Sequence, residues 1–457
     1  MALVTSAWIV AGVTSGRRAT RSMKIRLPSS PYISLAPHPD AREGILTRRT
    51  FRTFERRPVP EGLGLSVLEA ARAAPSVGGA EFVRYVVIDD PALKKRLFRL
   101  TRESKDISNH WEPLFKASGL RGYVQDWTHT PLCVAVCGDP GAGPGHIHNG
   151  WNHHLACATA TQNLALAARY HGLALVMYTH FSQEKLKQLL DVPFAWDVNG
   201  VMGLGFPDVG RINPRVLEAS LLRLSLGELV SGERYGDPAP KELIEEPESR
   251  AVVPDLMTTL RALRAATRFT DAPVPPGHVF EILRAAQWAP SAGNFQPVRF
   301  VILLDRARLA QLDALARESV EISAHWFPRY RQGAPEHPDW TRVPLAIALV
   351  ADPTKGGPHI HGEATHVIAG GLAAQNMAVM AQALGLSTSL VTHWIEEKVK
   401  VLVECPRSWD LVGVMPLGYA AETSEWIRRP LDQLVYQNRF GNPPHTSSED
   451  RSWPTRS

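Results

Sequence analysis

The chain has 457 residues, 44% of them hydrophobic and 21% charged, with a net charge of +5. That composition fits a globular protein with ample core and excludes a polyelectrolyte tail, a nucleic-acid-binding arm and a polybasic membrane patch. No run reaches the roughly 18 uninterrupted apolar residues that a membrane helix needs.

Taken in chain order, residues 1–42 read as a flexible tail. Its mildly apolar stretch Ala2–Val13 precedes Arg17, Arg18 and Arg21, the wrong charge order for a secretory signal, and Met23 is a candidate for the true start. Apolar residues at helical spacing (Leu65, Leu68, Ala71) predict a helix over Leu65–Ala74 that stops at Ala-Pro. Strands are expected from Tyr85 and over Pro131–Val136, then a long Ala-rich helix over Ala156–His171 ended near Gly172. A third strand and a helix lead to an apolar strand from Val201. The cysteines Cys133, Cys137, Cys157 and Cys405 lack metal or disulfide spacing and read as buried thiols of a reducing cytoplasm.

The same order then returns. A helix over Val279–Ala289 again stops at Ala-Pro, strands follow from Phe300 and Pro344, and an Ala-rich helix covers Val367–Leu384 before a strand from Val414. Ala74-Pro75-Ser76-Val77-Gly78-Gly79 aligns with Ala289-Pro290-Ser291-Ala292-Gly293-Asn294 at a constant offset of 215 positions (74 to 289). Upstream, Arg48-Arg49-Thr50-Phe51-Arg52-Thr53-Phe54 aligns with Leu263-Arg264-Ala265-Ala266-Thr267-Arg268-Phe269 at the same offset. A repeat of this length means two units, and the alternation of helices and strands indicates an α/β or α+β sandwich with a buried sheet. The expected boundaries are repeat 1 over 43–237, a Pro/Glu/Lys-rich linker over 238–256, repeat 2 over 257–442 and a tail over 443–457.

The ordered set Arg-Arg-Thr-x-Arg-x-Phe at 48–54, Pro290-Ser291-x-x-Asn294-x-Gln296-Pro297, the pairs Gln162-Asn163 and Gln375-Asn376, and Arg428-Arg429-Pro430-Leu431 resembles the FMN-dependent nitroreductase superfamily. The resemblance implies an α+β fold, a three-layer sandwich around a central mixed sheet, here repeated twice as an intramolecular pseudo-dimer that is monomeric as a chain. In the family two protomers exchange extended ends and build flavin sites at their interface. Carried over, one site takes Arg48, Arg49, Thr50, Arg52, Thr179 and Arg223 from repeat 1, with Pro290, Ser291 and Asn294 from repeat 2. Arg52 would support charge on reduced flavin, and the chemistry itself would belong to the flavin, so no separate catalytic residue is assigned. The mirror site would draw on Leu263, Arg264, Ala265, Thr267 and Arg428 with Ser76 and Gly79. It has lost two motif arginines, the hydroxyl and the asparagine, although Arg268 stands one position late and could restore charge. One FMN per chain is therefore expected. NAD(P)H would be a transient co-substrate, since no Gly-x-Gly-x-x-Gly follows a strand. The implied activity is reduction of a nitroaromatic, quinone or similar conjugated small molecule, with no nucleic-acid or membrane partner. The same scaffold also supports a dehydrogenase of a biosynthetic intermediate with O2 as acceptor, or a non-catalytic homologue that sequesters FMN.

Both halves also carry His-Ile-His-x4-His: His146, His148 and His153, then His359, His361 and His366, offset by 213 (146 to 359). Interface packing, an anion or substrate pocket and a transition-metal site all fit this pattern; packing is the plainest reading, and no metal is expected. Trp111, Trp127, Trp326 and Trp340 read either as core or as a stacking surface for an aromatic substrate.

Overall fold

The computed structural model describes residues 33–75, 81–111, 124–142, 150–212, 217, 220–326, 337–355, 364–422 and 428–444. Each repeat contributes one long helix, Asn152–Tyr170 and Thr365–Ala383, buried along nearly its whole length. A helix apolar on every face must be covered on every face, and these two pack on each other. Contact is so close that a Cβ on Gly371 would stand 2.7 Å from Ala158 Cβ, so only glycine fits there. Two buried amide pairs lock the crossing reciprocally. Gln162 Nε2 donates to Asn376 Oδ1 and Gln375 Nε2 to Asn163 Oδ1, each at 2.6 Å. The remaining amide protons go to the neighbouring helices Glu61–Arg72 and Pro276–Gln287, through Ala70 O at 2.9 Å and Ala285 O at 2.8 Å.

Against this helical layer lie two five-stranded sheets. The first joins β1 (Val83–Ile88), β2 (Leu132–Gly138), β3 (Ala174–Tyr178) and β4 (Asp197–Gly205), and a strand from the far end of the chain, β12 (Val435–Gln437), in the order β12-β1-β2-β4-β3. β5 (Val230–Gly232) leaves repeat 1, and a short pair follows from β6 (Arg268–Phe269). The second sheet holds β7 (Val298–Leu303), β8 (Leu345–Ala351), β9 (Ser387–Thr388) and β10 (Asp410–Gly418), in the order β5-β7-β8-β10-β9. β11 (Ala420–Glu422) pairs with β6, and β12 (Val435–Gln437) closes the chain.

The terminal strands have changed places. β5 of repeat 1 runs parallel to β7 of repeat 2, with Val230 opposite Phe300, and β12 of repeat 2 runs parallel to β1, with Tyr85 opposite Val435. All other pairings in the two sheets are antiparallel, so each sheet is mixed. Each exchanged strand ends in a left-handed residue whose side chain caps two amides of the other repeat. Glu233 (φ 57°) accepts from Leu304 N and Asp305 N; Asn438 (φ 61°) accepts from Asp89 N and Asp90 N. Between the repeats, the turn Lys241–Ile244 buries Leu243 and packs on the helix Pro276–Gln287. No helix among the described residues is long and apolar enough to cross a membrane.

Candidate flavin site between the repeats

Arg48 caps the C-terminus of the helix Ala41–Thr47, its amide bonded to Gly44 O. The chain then runs extended beside β3, with Thr50 bridged to Leu175, Phe51 N donating to Leu175 O at 3.3 Å, and Arg52 O accepting from Gln125 Nε2 at 3.3 Å. This course leaves Arg48 and Arg49 only 4% and 3% exposed. Arg49 lies with its guanidinium carbon 4.3 Å from the ring centre of Trp288, a residue of repeat 2, and Arg223 approaches the same ring at 4.9 Å. One indole thus holds two cations from the other repeat, through the attraction of its electron-rich face.

The segment around Arg223 is stitched to repeat 2. Arg223 NH1 donates to Asn294 Oδ1 at 2.9 Å and Asn294 Nδ2 to Leu222 O at 3.0 Å. Leu224 N donates to Gln296 Oε1 at 2.9 Å, and Leu224 O accepts from Gln287 Nε2 at 2.7 Å. Asn294 can point this way because Gly293 (φ 56°) and Asn294 (φ 59°) are both left-handed, a conformation these two residue types tolerate best. Ser291 Oγ accepts from Gln296 N at 2.9 Å, and Pro290 and Ser291 line a cavity with Gln296 and Phe300. Thr179 follows directly on β3, half-buried, its carbonyl accepting from Phe181 N.

Burial pulls the pKa of Arg223 down to about 10; burial and the like charge of Arg223 do the same to Arg48. Neither group forms an ion pair among the described residues, and the Nε of each has no hydrogen-bond partner there. Buried cations are normally matched by anions. An anionic ligand would supply what these two groups lack, so the donor set fits FMN, with its phosphate and its readily reduced ring.

The mirror position has the same scaffold with its arginines differently partnered. Arg428, the counterpart of Arg223, is half-buried there, its pKa lowered by burial and by the like charges of Arg264 and Arg72. Arg429 N donates to Glu81 Oε1 at 3.0 Å and Arg429 O accepts from Arg72 NH1 at 3.3 Å, repeating the Leu224 bonds to Gln296 and Gln287. Here, however, Glu81 is a carboxylate that also ion-pairs the Arg429 side chain, and Arg72 pairs with Glu69 at 2.6 Å. Trp288 is replaced by Ala73, so Arg264, the counterpart of Arg49, has no indole beneath it and is exposed. Arg268 restores nothing, because it reaches outward to Glu422 at 3.4 Å, both side chains largely exposed. Ser76 and Gly79 lie outside the described residues. Trp288 is the residue that motif matching missed; its pairing with Ala73 at the 215 offset (73 to 288) was the available signal.

Of the duplicated histidines, His146, His148, His359 and His361 lie outside the described residues. His153 and His366 do equivalent work, their Nε2 atoms bonded to Asp197 Oδ2 at 2.9 Å and Asp410 Oδ2 at 2.5 Å, the first residues of β4 and β10. Trp127 and Trp340 are fully buried core residues, Trp127 Nε1 bonded to Thr101 Oγ1 at 2.8 Å.

A protein from Archaeoglobus fulgidus named for NADH dehydrogenase and NAD(P)H nitroreductase activity is 26% identical over 167 residues, covering 36% of this chain and 83% of that one. A 5,6-dimethylbenzimidazole synthase from Rhodobacter capsulatus is 30% identical over 181 residues, 37% of this chain and 86% of the relative. A crystal structure of a nitroreductase with bound FMN from Bacteroides fragilis aligns at 22% identity and a TM-score of 0.31, over 38% of this chain and 91% of that chain. Each match spans about one repeat. The nitroreductase family model matches twice, at residues 45–206 and 262–419, and the chain belongs to that family, whose fold it carries in two copies.

Proposed function

We propose that the chain is an FMN-dependent oxidoreductase that draws electrons from NAD(P)H and delivers them to a nitroaromatic, quinone or similar conjugated acceptor. One FMN per chain sits between the repeats, bound by Arg48, Arg49, Thr50, Arg52, Thr179 and Arg223 from one and Pro290, Ser291 and Asn294 from the other. The observation that carries this reading is the Arg223–Asn294 bond across the repeats, set beside the buried Arg48 and the half-buried Arg223, neither with a carboxylate partner among the described residues.

Bound FMN supplies hydride and single-electron transfer. The chain's own contribution is to bind and orient. Arg48 and Arg223 offer charge-assisted donors at little cost of reorganisation, because burial holds Arg48 and the Trp288 ring holds Arg223. Asn294 presents an amide that both donates and accepts.

Anaerobic titration of the purified yellow protein with NADH and with NADPH tests the reaction. Bleaching of the flavin band by a stoichiometric amount of either nicotinamide, and its recovery on adding a quinone, is the expected result. If neither bleaches it, the protein is instead a dehydrogenase reoxidised by O2 or a flavin store. Those two separate on whether any acceptor supports turnover.

A further inference from the structure

The pair His153–Asp197 repeats the pair His366–Asp410, so one histidine and one aspartate suffice to tie the long helix of a repeat to its neighbouring strand. Repeat 1 adds something that repeat 2 lacks. At the positions of Val367 and Val412 it carries His154 and Asn199, offset by 213 (154 to 367, 199 to 412). A valine pair has become a polar pair at a half-buried and a buried position. His154 Nδ1 is bonded to Asn199 Oδ1 at 2.8 Å, which leaves His154 Nε2 facing Asp197 Oδ2 at 3.9 Å. The imidazole rings of His153 and His154 are 4.0 Å apart, and one ligand atom from each of His153, His154 and Asp197 lies within 4.8 Å of the others. Lys187 Nζ holds the other carboxylate oxygen, Oδ1, at 3.1 Å, so Oδ2 is the one presented to both histidines. Asn199 is only 6% exposed, and its Nδ2 has no hydrogen-bond partner among the described residues.

We propose that His153, His154 and Asp197 form a metal site, present in repeat 1 alone, that takes a divalent first-row ion of Zn2+ type. Two imidazoles and one carboxylate are a ligand set that such ions favour, and an Asn199 bond to the far nitrogen of His154 is the outer-shell support that metal-bound histidines usually have. Ligand atoms around tetrahedral Zn2+ stand roughly 3.4 Å apart, given metal–ligand bonds of about 2.0–2.2 Å. The observed Nε2–Oδ2 separations from Asp197, 2.9 Å to His153 and 3.9 Å to His154, lie on either side of that value. A water on the ion would give Asn199 Nδ2 an acceptor.

The test uses the full chain prepared without a polyhistidine tag and stripped with a chelator. Titration with Zn2+ in a calorimeter should show one ion per chain, and Zn2+ should raise Tm by preferential binding to the folded form. The double variant His154→Val/Asn199→Val gives repeat 1 the valine pair already present in repeat 2. It should abolish both effects while leaving the chelator-treated Tm close to that of the parent. His366→Gln should leave Zn2+ binding intact. Absence of stoichiometric binding in the parent chain, or full binding retained by the double variant, would overturn the assignment.

Discussion

Arg223 stands where the two repeats meet, its guanidinium bonded to Asn294 Oδ1 at 2.9 Å and lying over Trp288. Removing one charge-assisted bond to an anionic ligand costs roughly 1.5–3 kcal/mol, which is about a 10- to 150-fold weaker Kd. Arg223→Ala and Asn294→Ala should therefore each release flavin during gel filtration. Arg264→Ala should not, because among the described residues that exposed side chain bonds only backbone carbonyls, of Arg261 and Leu263, at 2.9 Å. Equal loss in all three variants would refute the composite site. Acid sensitivity is also set by single residues. Burial holds the pKa of both His180 and His337 down at about 4. An unfolded histidine titrates near 6.5, so the unfolded chain takes up these protons first as pH falls. Stability is complete above that value and is lost between about pH 6.5 and 4, by up to ~1.4 kcal/mol per pH unit for each residue. Urea midpoints should drop between pH 7 and pH 5, and the drop should shrink in the double variant His180→Gln/His337→Gln. An unchanged pH slope in that variant would assign the acid sensitivity elsewhere.

At the level of elements, the contact between Asn152–Tyr170 and Thr365–Ala383 carries the pseudo-twofold axis, and its reciprocal amides are fully buried. Asn376→Ala removes the acceptor of Gln162 Nε2 and the donor to Ala285 O at once. Each buried group left unpaired costs about 1–3 kcal/mol, so chemical denaturation should show a loss of at least ~2 kcal/mol with flavin binding weakened only through stability. A loss below about 0.5 kcal/mol, the scatter of surface substitutions, would mean that the helices are held by shape alone. Helical spacing made these long helices legible in the sequence to within a few residues, and the apolar runs at Tyr85, Phe300 and Val414 marked the strands. β5 and β12 escaped periodicity because three residues carry no period; their exchange followed only from family resemblance. Gln162 and Asn376 were visible as motif letters, yet their pairing was not, since each partner lies in the other repeat. The histidines were legible as a duplicated pattern, but their purpose required Asp197 and Asp410, which repeat at the same offset of 213 (197 to 410) and went unused.

For the molecule as a whole, fusion removes a constraint that a true homodimer cannot escape. Two identical subunits related by a twofold axis must carry identical sites, so a substitution that damages one site damages both. In one continuous chain the two pockets are encoded separately and can diverge while the shared scaffold persists. The scaffold has persisted: Leu224 and Arg429 make matching bonds to Gln296 and Gln287 on one side, and to Glu81 and Arg72 on the other. The electrostatics have diverged. Arg48 is buried and Arg223 half-buried without ion pairs among the described residues; at the mirror position Arg428, the counterpart of Arg223, is also half-buried, but Arg429 is neutralised by Glu81, Arg72 by Glu69, and Leu263 stands where Arg48 would. An anionic cofactor entering the mirror pocket would have to displace the carboxylate of Glu81, surrendering an existing pair for a new one, with no indole to hold Arg264. Binding there gains one poorly solvated cation, Arg428, while binding beside Arg48 and Arg223 gains two. Flavin absorbance against quantitative amino-acid analysis should therefore give one FMN per chain, even after incubation with excess FMN and desalting. Glu81→Gln, which copies the residue of the working side, should not raise the ratio by itself, because the indole and the Arg48 counterpart would still be missing. A ratio near two in the parent chain would show that the ion pairs at Glu81 open readily, and that the two pockets remain functionally alike despite their different charges.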